Sequence, residues 1–367
     1  MSMSTRVMRA PREVEAQITS RCNLRCRYCS FFDHPEPEYR DLPTREWLRF
    51  FDELGELGVM NMTLTGGEPF IREDLPLLID GIVRNRMRFS ILSNGALIGD
   101  EVAAFLASTR RCDVVQVSVD GSGPSTHDIF RGEGSFVGAV RGLKTLIRHR
   151  VPATSRVTVH RGNVGDLAAT ARLLLEEAGL PSISVNAAGI LGSCQRNEGQ
   201  VLMTVSQRQE AMESLFRLSD AYPGRIQAKV GTLAEGNIWR RMEEARRAGE
   251  PPFPEGGRLT ACGCPCSKIG IRSDGVVVPC IQLPHLEMGK INRDSLAGLW
   301  SGSPVLAGIR DRVSIPLSSF PFCEGCSYVD YCTGNCPAIA YTTIGRVDHP
   351  SPDACLRRYL AEGGAIP

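Results

Sequence analysis

Apolar positions alternate with polar ones, or run unbroken, over six short stretches of the first half of the chain: 14–19, 61–65, 88–93, 113–119, 154–160 and 182–186. Between them, near 44–57, 74–86, 99–108, 135–150 and 165–178, apolar residues recur three and four apart. The first pattern predicts strands and the second amphipathic helices. The first helix is well marked: Pro43-Thr44 opens it, Trp47, Leu48, Phe51 and Leu54 share a face, and Gly55 and Gly58 lie near its end. Strand–helix alternation predicts an α/β fold with a parallel sheet and right-handed crossovers. Val114-Val115-Gln116-Val117-Ser118-Val119 is apolar on both faces, which suits a sheet buried between a core and a helical layer. An open doubly wound sheet and a partial (β/α)6 TIM-type barrel both fit, and both hold ligands at the carboxyl ends of their strands.

The pattern changes after residue 187. Two helices are expected near 204–221 and 231–248, joined by the turn Ala221-Tyr222-Pro223-Gly224, and 251–257 reads as a Pro- and Gly-rich linker. From 258 onward the chain is rich in Cys, Gly and Pro and shows little periodicity, so metal staples rather than a conventional core are expected there. The organisation read from the sequence is therefore 1–187, 188–257 and 258–367. A chain of 367 residues with 42% apolar and 23% charged content is typical of a soluble globular protein. A net charge of +1 argues against a nucleic-acid surface, and no apolar run is long enough to span a bilayer. Residues 1–7 lack the apolar segment of a secretion signal, which predicts a cytoplasmic protein.

Fourteen cysteines are unusual for such a chain. Cytosolic thiols stay reduced, so metal binding is expected rather than disulfides. Cys22, Cys26 and Cys29 form one group, nine more lie between 262 and 355, and only Cys112 and Cys194 fall between. Three thiolates directly after the first strand are one fewer than a closed zinc site or an ordinary iron–sulfur cube uses. If they hold a [4Fe–4S] cluster, one iron keeps an open position. Cys22-x3-Cys26-x2-Cys29, with Tyr28 before the last cysteine, resembles the signature of radical S-adenosylmethionine (radical SAM) enzymes. The resemblance implies that SAM chelates the open iron, and that one electron cleaves it to methionine and a 5′-deoxyadenosyl radical. That radical then takes a hydrogen atom from the substrate in an enclosed site. Later strand ends carry matching residues. Gly66-Gly67-Glu68-Pro69 resembles the motif for the SAM amino group. Ser93-Asn94-Gly95 ends the third strand, and Ser118 and Asp120 end the fourth, placed to bond ribose hydroxyls. Arg131 resembles the residue that meets the SAM carboxylate; Asn163 and Ala188-Gly189-Ile190 resemble adenosine-side elements.

The second group, Cys323-x2-Cys326-x5-Cys332-x3-Cys336 and then Cys355, preceded by Gly275-x4-Cys280, resembles the SPASM extension of radical SAM enzymes. That extension binds two auxiliary [4Fe–4S] clusters, giving three in all. By resemblance, Cys323, Cys326, Cys332 and Cys355 hold the second auxiliary cluster. Cys280 and Cys336 join two of Cys262, Cys264 and Cys266 around the first; the cramped one-residue spacer of Cys262–Cys264 favours Cys262 with Cys266. The surplus thiol and Cys194 are candidates for structural roles, spare ligation or hydrogen-atom donation. Zinc ribbons also use Cys-x2-Cys, but as simple pairs of pairs. Enzymes of this resemblance mostly modify ribosomally made peptides, by crosslinking, epimerisation or oxidation; others act on small molecules such as tetrapyrroles or sugars. An iron–sulfur electron carrier would need the clusters but not Gly66-Gly67-Glu68-Pro69, Asp120 or Arg131. Sulfatase maturases carry an aspartate directly after the Gly-x4-Cys cysteine, where this chain has Ile281. Only 21 residues precede Cys22, too few for a leader-binding module. A peptide substrate would then need a separate leader-recognition protein, or binding by the barrel and the 188–257 region, and a small-molecule substrate neither; a flavodoxin or ferredoxin is expected as reductant.

Overall fold

The computed structural model describes residues 7–31 and 39–366. Six strands and the helices between them follow the expected order. They are β1 (Glu13–Thr19), α1 (Thr44–Glu56), β2 (Asn61–Gly66), α2 (Leu75–Arg84), β3 (Arg88–Ser93), α3 (Asp100–Thr109) and β4 (Cys112–Ser118). Then come α4 (Pro124–Arg131), α5 (Ser135–Arg148), β5 (Ala153–Val159), α6 (Leu167–Arg172) and β6 (Ile183–Ala187). The strands pair in parallel in the sequential order β1-β2-β3-β4-β5-β6. A doubly wound sheet reverses its order at a switch point; this one does not, so right-handed crossovers put every helix on one side and the sheet curls into a partial barrel.

The two faces differ in chemistry. Val14, Ala16 and Ile18 of β1 belong to the same core as Trp47, Phe50, Phe51 and Leu54 of α1. The alternate residues of β1 face a polar lumen. Lys268 Nζ lies 2.9 Å from Glu13 and 2.7 Å from Glu15, and Thr63 Oγ1 donates to Glu13 at 2.8 Å. Glu15 also faces Arg156, on the opposite side of the barrel. The inner face is thus hydrophilic, unlike the doubly apolar reading of the strands.

After β6, α7 (Ser193–Arg196) and α8 (Glu198–Val201) are single turns, followed by α9 (Val205–Ala221), β7 (Ile226–Gln227) and α10 (Thr232–Ala248). Thr204 caps α9 through a reciprocal capping box with Gln207. Residues 251–257 are pinned to the cysteine segment: Phe253 N donates to the Asp330 carbonyl and Gly257 N to that of Cys332, at 3.2 and 2.9 Å.

Regular structure continues past 258, where periodicity gives little signal. The turn α11 (Cys264–Ser267) leads into β8 (Lys268–Ile271), β9 (Val276–Val278) and β10 (Gly289–Lys290). β8 pairs in parallel with β1, so the order of the described sheet is β10-β9-β8-β1-β2-β3-β4-β5-β6-β7. α12 (Leu296–Gly302), α13 (Pro304–Arg310), α14 (Pro337–Ile344) and α15 (Leu356–Ala361) complete the chain. Ile269, Ile271, Val277, Leu296, Trp300 and Leu306 enter the main core, so part of this segment is held by apolar burial. These strands are three or four residues long at most, too short for a period-2 signal to stand out. Among the described residues no helix is long and apolar enough to cross a membrane.

Candidate active site

The loop after β1 carries Cys22, Cys26 and Cys29 to the carboxyl end of the barrel. Their thiols line one cavity of about 160 Å³ together with Thr65, Gly67, Glu68, Ser93, Asn94, Ser118 and Arg131. The structure thereby gathers residues that lie more than a hundred positions apart. The loop is held on both sides. Arg27 N donates to the Phe130 carbonyl at 2.8 Å, and Cys26 Sγ lies 3.9 Å from the Arg131 carbonyl. From the other side Ser193 N donates to the Cys29 carbonyl at 2.8 Å and Asn197 Nδ2 to that of Arg27 at 3.0 Å. At its root, Asp41 accepts from Ser20 N and Ser20 Oγ at 2.6 and 2.9 Å.

Glycine is required at two of these positions. A Cβ on Gly67 would stand 2.0 Å from the Arg21 carbonyl, and one on Gly66, at φ +133°, would stand 2.2 Å from the Thr19 carbonyl. The end of β2 can therefore lie directly against the cysteine loop. Glu68 beside them is almost fully buried, and its carboxylate accepts from Ser93 Oγ at 2.8 Å, Asn94 N at 2.7 Å and Phe70 N at 3.2 Å. These bonds tie the end of β2 to the end of β3. Burial pushes the Glu68 carboxyl up to about 7 despite them.

Asp120 and Arg131 meet each other rather than opening jointly on the cavity. Arg131 Nε donates to Asp120 Oδ2 at 2.5 Å, and the Tyr28 hydroxyl donates to the same oxygen. Asp120 Oδ1 accepts from Thr158 N at 2.8 Å. Asp120 is fully buried, and the arginine and three hydrogen bonds hold its carboxyl below the usual range against a large desolvation effect. Asn163 donates to the Asp120 and Thr158 carbonyls at 2.8 and 2.9 Å, so it pins this network from behind. His127 Nδ1 accepts from Asp120 N at 3.1 Å, and His160 stacks on Tyr28 at 5.3 Å; burial pulls both imidazoles down to about 4. Arg131 lies on the cavity wall, while Asp120 and Tyr28 hold it there.

The later cysteines form two further groups. Cys323, Cys326, Cys332 and Cys355 surround one small void of about 30 Å³, closed by Leu317, Phe322, Val329 and Arg357. In the other group Cys264 lies beside both Cys262 and Cys280, and Cys336 faces Cys262. Cys262 takes the left-handed conformation, φ +65°. Cys266 is buried, near Cys262 and Arg310. The geometry brings Cys264, rather than Cys266, against Cys280. Cys194 is fully buried with Tyr28, Phe130 and Val201, and Cys112 lies in the main core.

Clustered thiols, two groups of them on shared cavities and the first with a glycine cradle, fit iron–sulfur clusters and a ligand held against one of them. The periodicity missed α4, which carries Arg131, and the His127–His160 pair behind the site. Their spacing has no motif; only the buried aromatic Tyr28 hints that something must receive its hydroxyl.

Comparison with known proteins agrees with this geometry. The sequence matches the Radical SAM superfamily over residues 16–174 and an iron–sulfur cluster-binding SPASM domain over residues 262–327. It is 28% identical to the PqqA peptide cyclase of Granulibacter bethesdensis, covering 94% of this chain and 87% of that one. It is equally 28% identical to the Fe-coproporphyrin III synthase of Methanosarcina barkeri, over 93% of this chain and 87% of that one. In fold it matches Streptococcus suis SuiB, solved with the precursor peptide SuiA, at a TM-score of 0.72 and 16% identity, covering 95% of this chain and 77% of that one. With both cysteine groups, the partial barrel and both domain matches in agreement, the chain belongs to the radical SAM enzymes that carry a C-terminal SPASM domain with auxiliary iron–sulfur clusters.

Proposed function

We propose that this enzyme modifies a ribosomally made peptide, by crosslinking, epimerisation or oxidation. The observation that carries the reading is a second cavity, of about 300 Å³, beside the cysteine loop. Gln17, Ser30, Gln195, Gln282, His285 and Thr342 are among the residues lining it, and the described lining includes no Asp, Glu, Lys or Arg. Gln17 Oε1 is buried there without a hydrogen-bond partner among the described residues. Side-chain amides match the donors and acceptors of peptide bonds, and an unpaired buried amide oxygen gains most from a ligand N–H. A tetrapyrrole brings carboxylates, which call for Arg or Lys in a buried site. The names of the PqqA peptide cyclase and of the SuiB–SuiA complex lend support to the same substrate class.

In this reading Cys22, Cys26 and Cys29 hold the first [4Fe–4S] cluster, with SAM in the adjoining cavity; Cys323, Cys326, Cys332 and Cys355 hold one auxiliary cluster, and Cys262, Cys264, Cys280 and Cys336 the other. When bound, cluster and SAM together supply one-electron cleavage of a sulfonium and hydrogen-atom abstraction from the substrate. The chain's own residues bind and orient. Gly66 and Gly67 let the end of β2 lie against the cysteine loop, Asn94 and Ser118 offer polar groups at the strand ends, and Arg131 presents a cation that Asp120 and Tyr28 keep in place. Glu68 fixes the β2–β3 junction on which these groups sit. A reductant such as flavodoxin or ferredoxin supplies the electron. Cytoplasmic placement follows from the need to keep fourteen cysteines reduced.

Deuterium transfer tests the reading. A precursor peptide deuterated at its modified residue, incubated anaerobically with enzyme, SAM and reductant, is expected to deliver label into 5′-deoxyadenosine. Label arriving only from a porphyrinogen or a sugar would contradict it.

A further inference from the structure

A charged side chain is fully buried next to the cysteines of the first auxiliary site. Arg312 has a relative exposure of 0%. Its Nε donates to the Thr260 carbonyl at 2.8 Å and its Nη2 leans on that of Asn335 at 3.4 Å. The guanidinium therefore spans the two chain segments that lead into Cys262 and Cys336, and it faces both thiols. Its Nη1 is buried without a hydrogen-bond partner among the described residues. Asp348 is the carboxylate that faces it, and Asp348 is engaged by Arg346 at 2.9 Å. Burying an arginine without a paired anion is strongly unfavourable. Such a residue points to an anion that the thiols supply when metallated.

We propose that Arg312 is the counter-charge of the auxiliary [4Fe–4S] cluster held by Cys262, Cys264, Cys280 and Cys336, donating a hydrogen bond from Nη1 to its sulfur and raising its reduction potential. Four thiolates give an oxidised cube a net charge of about −2, and one added electron makes it −3. A buried cation stabilises the reduced state more than the oxidised one, so it draws the electron in. The other auxiliary site differs: Arg357 lies at its edge but donates to the Glu324 and Phe322 carbonyls, next to solvent. The fold thus makes the two auxiliary clusters unequal electron acceptors, with the Arg312 site the easier to reduce. This inference does not depend on the substrate being a peptide.

The test is a redox titration of the reconstituted protein followed by electron paramagnetic resonance. Cys22, Cys26 and Cys29 are replaced by Ala in the background, so that only the auxiliary clusters report. Arg312→Gln is expected to shift one of the two reduction waves to lower potential by at least tenfold in equilibrium constant, about 59 mV for one electron, and leave the other unmoved. Arg312→Lys keeps the charge and is expected to shift it less, with iron content unchanged in both. Loss of about four irons from Arg312→Gln but not from Arg312→Lys would also support the counter-charge. Two unshifted waves at full iron content would overturn the proposal. Loss of four irons from both variants would make Arg312 part of the scaffold, and would overturn it as well.

Discussion

Asp120 carries two jobs that a motif alone cannot separate. The sequence places it at a strand end, where the family resemblance gives it ribose contacts. The structure shows its carboxylate engaged by Arg131, Tyr28 and Thr158 N. Asp120→Asn would leave the Arg131 charge buried, at a cost of about 3–5 kcal/mol. Combining it with Arg131→Met should cost less than the sum of the two single changes, as chemical denaturation would read. Additive losses would mean the pair is not coupled. His127 and His160 give a pH signature. Their pKa values in the folded chain lie near 4, against 6.5 unperturbed. The folded state binds fewer protons than the unfolded one between these values. Their contribution is therefore complete above pH 6.5 and is lost as pH falls toward 4, on the order of 3 kcal/mol each. In an NMR titration two of the six histidines should stay neutral down to pH 5. Titration of all six near 6.5 would contradict the buried geometry.

At the level of elements, the six barrel strands and the long helices were legible because each runs long enough to show its period. What lay beyond reach was α4, only eight residues long, and β8, four residues among cysteines. The clustering of the cysteines was legible, but not which of Cys262, Cys264 and Cys266 lies against Cys280; the fold brings Cys264 there. Arg312 follows Asp311 and looks like surface charge; nothing local reveals that it is buried. The C-terminal segment also contributes to the main core more than its composition suggests. Trp300 on α12 is buried and its Nε1 donates to the Met8 carbonyl at 2.8 Å. Trp300→Ala should destabilise the protein by about 3–5 kcal/mol. A loss below about 1 kcal/mol in denaturant titration would mean that the clusters alone hold this segment.

For the whole molecule, one sheet joins the two cysteine regions. β8 lies against β1, so the auxiliary sites and the cysteine loop grow from neighbouring strands of one framework. The cavity between them, uncharged among its described lining residues, is bounded by β1, by the segment after Cys280 and by α14. A substrate held there would stand between the group that starts the radical chemistry and the clusters that can accept an electron. Cys22, Cys26 and Cys29 are expected to generate the radical, and the later cysteines to form separate clusters. Anaerobic reconstitution of the Cys22→Ala/Cys26→Ala/Cys29→Ala protein, with iron counted and 5′-deoxyadenosine measured on reduction with SAM, tests it most directly. About twelve irons per chain and SAM cleavage are expected in the unaltered protein, and about eight irons with no 5′-deoxyadenosine in the variant. Retained SAM cleavage in the variant, or collapse of all three clusters together, would contradict it.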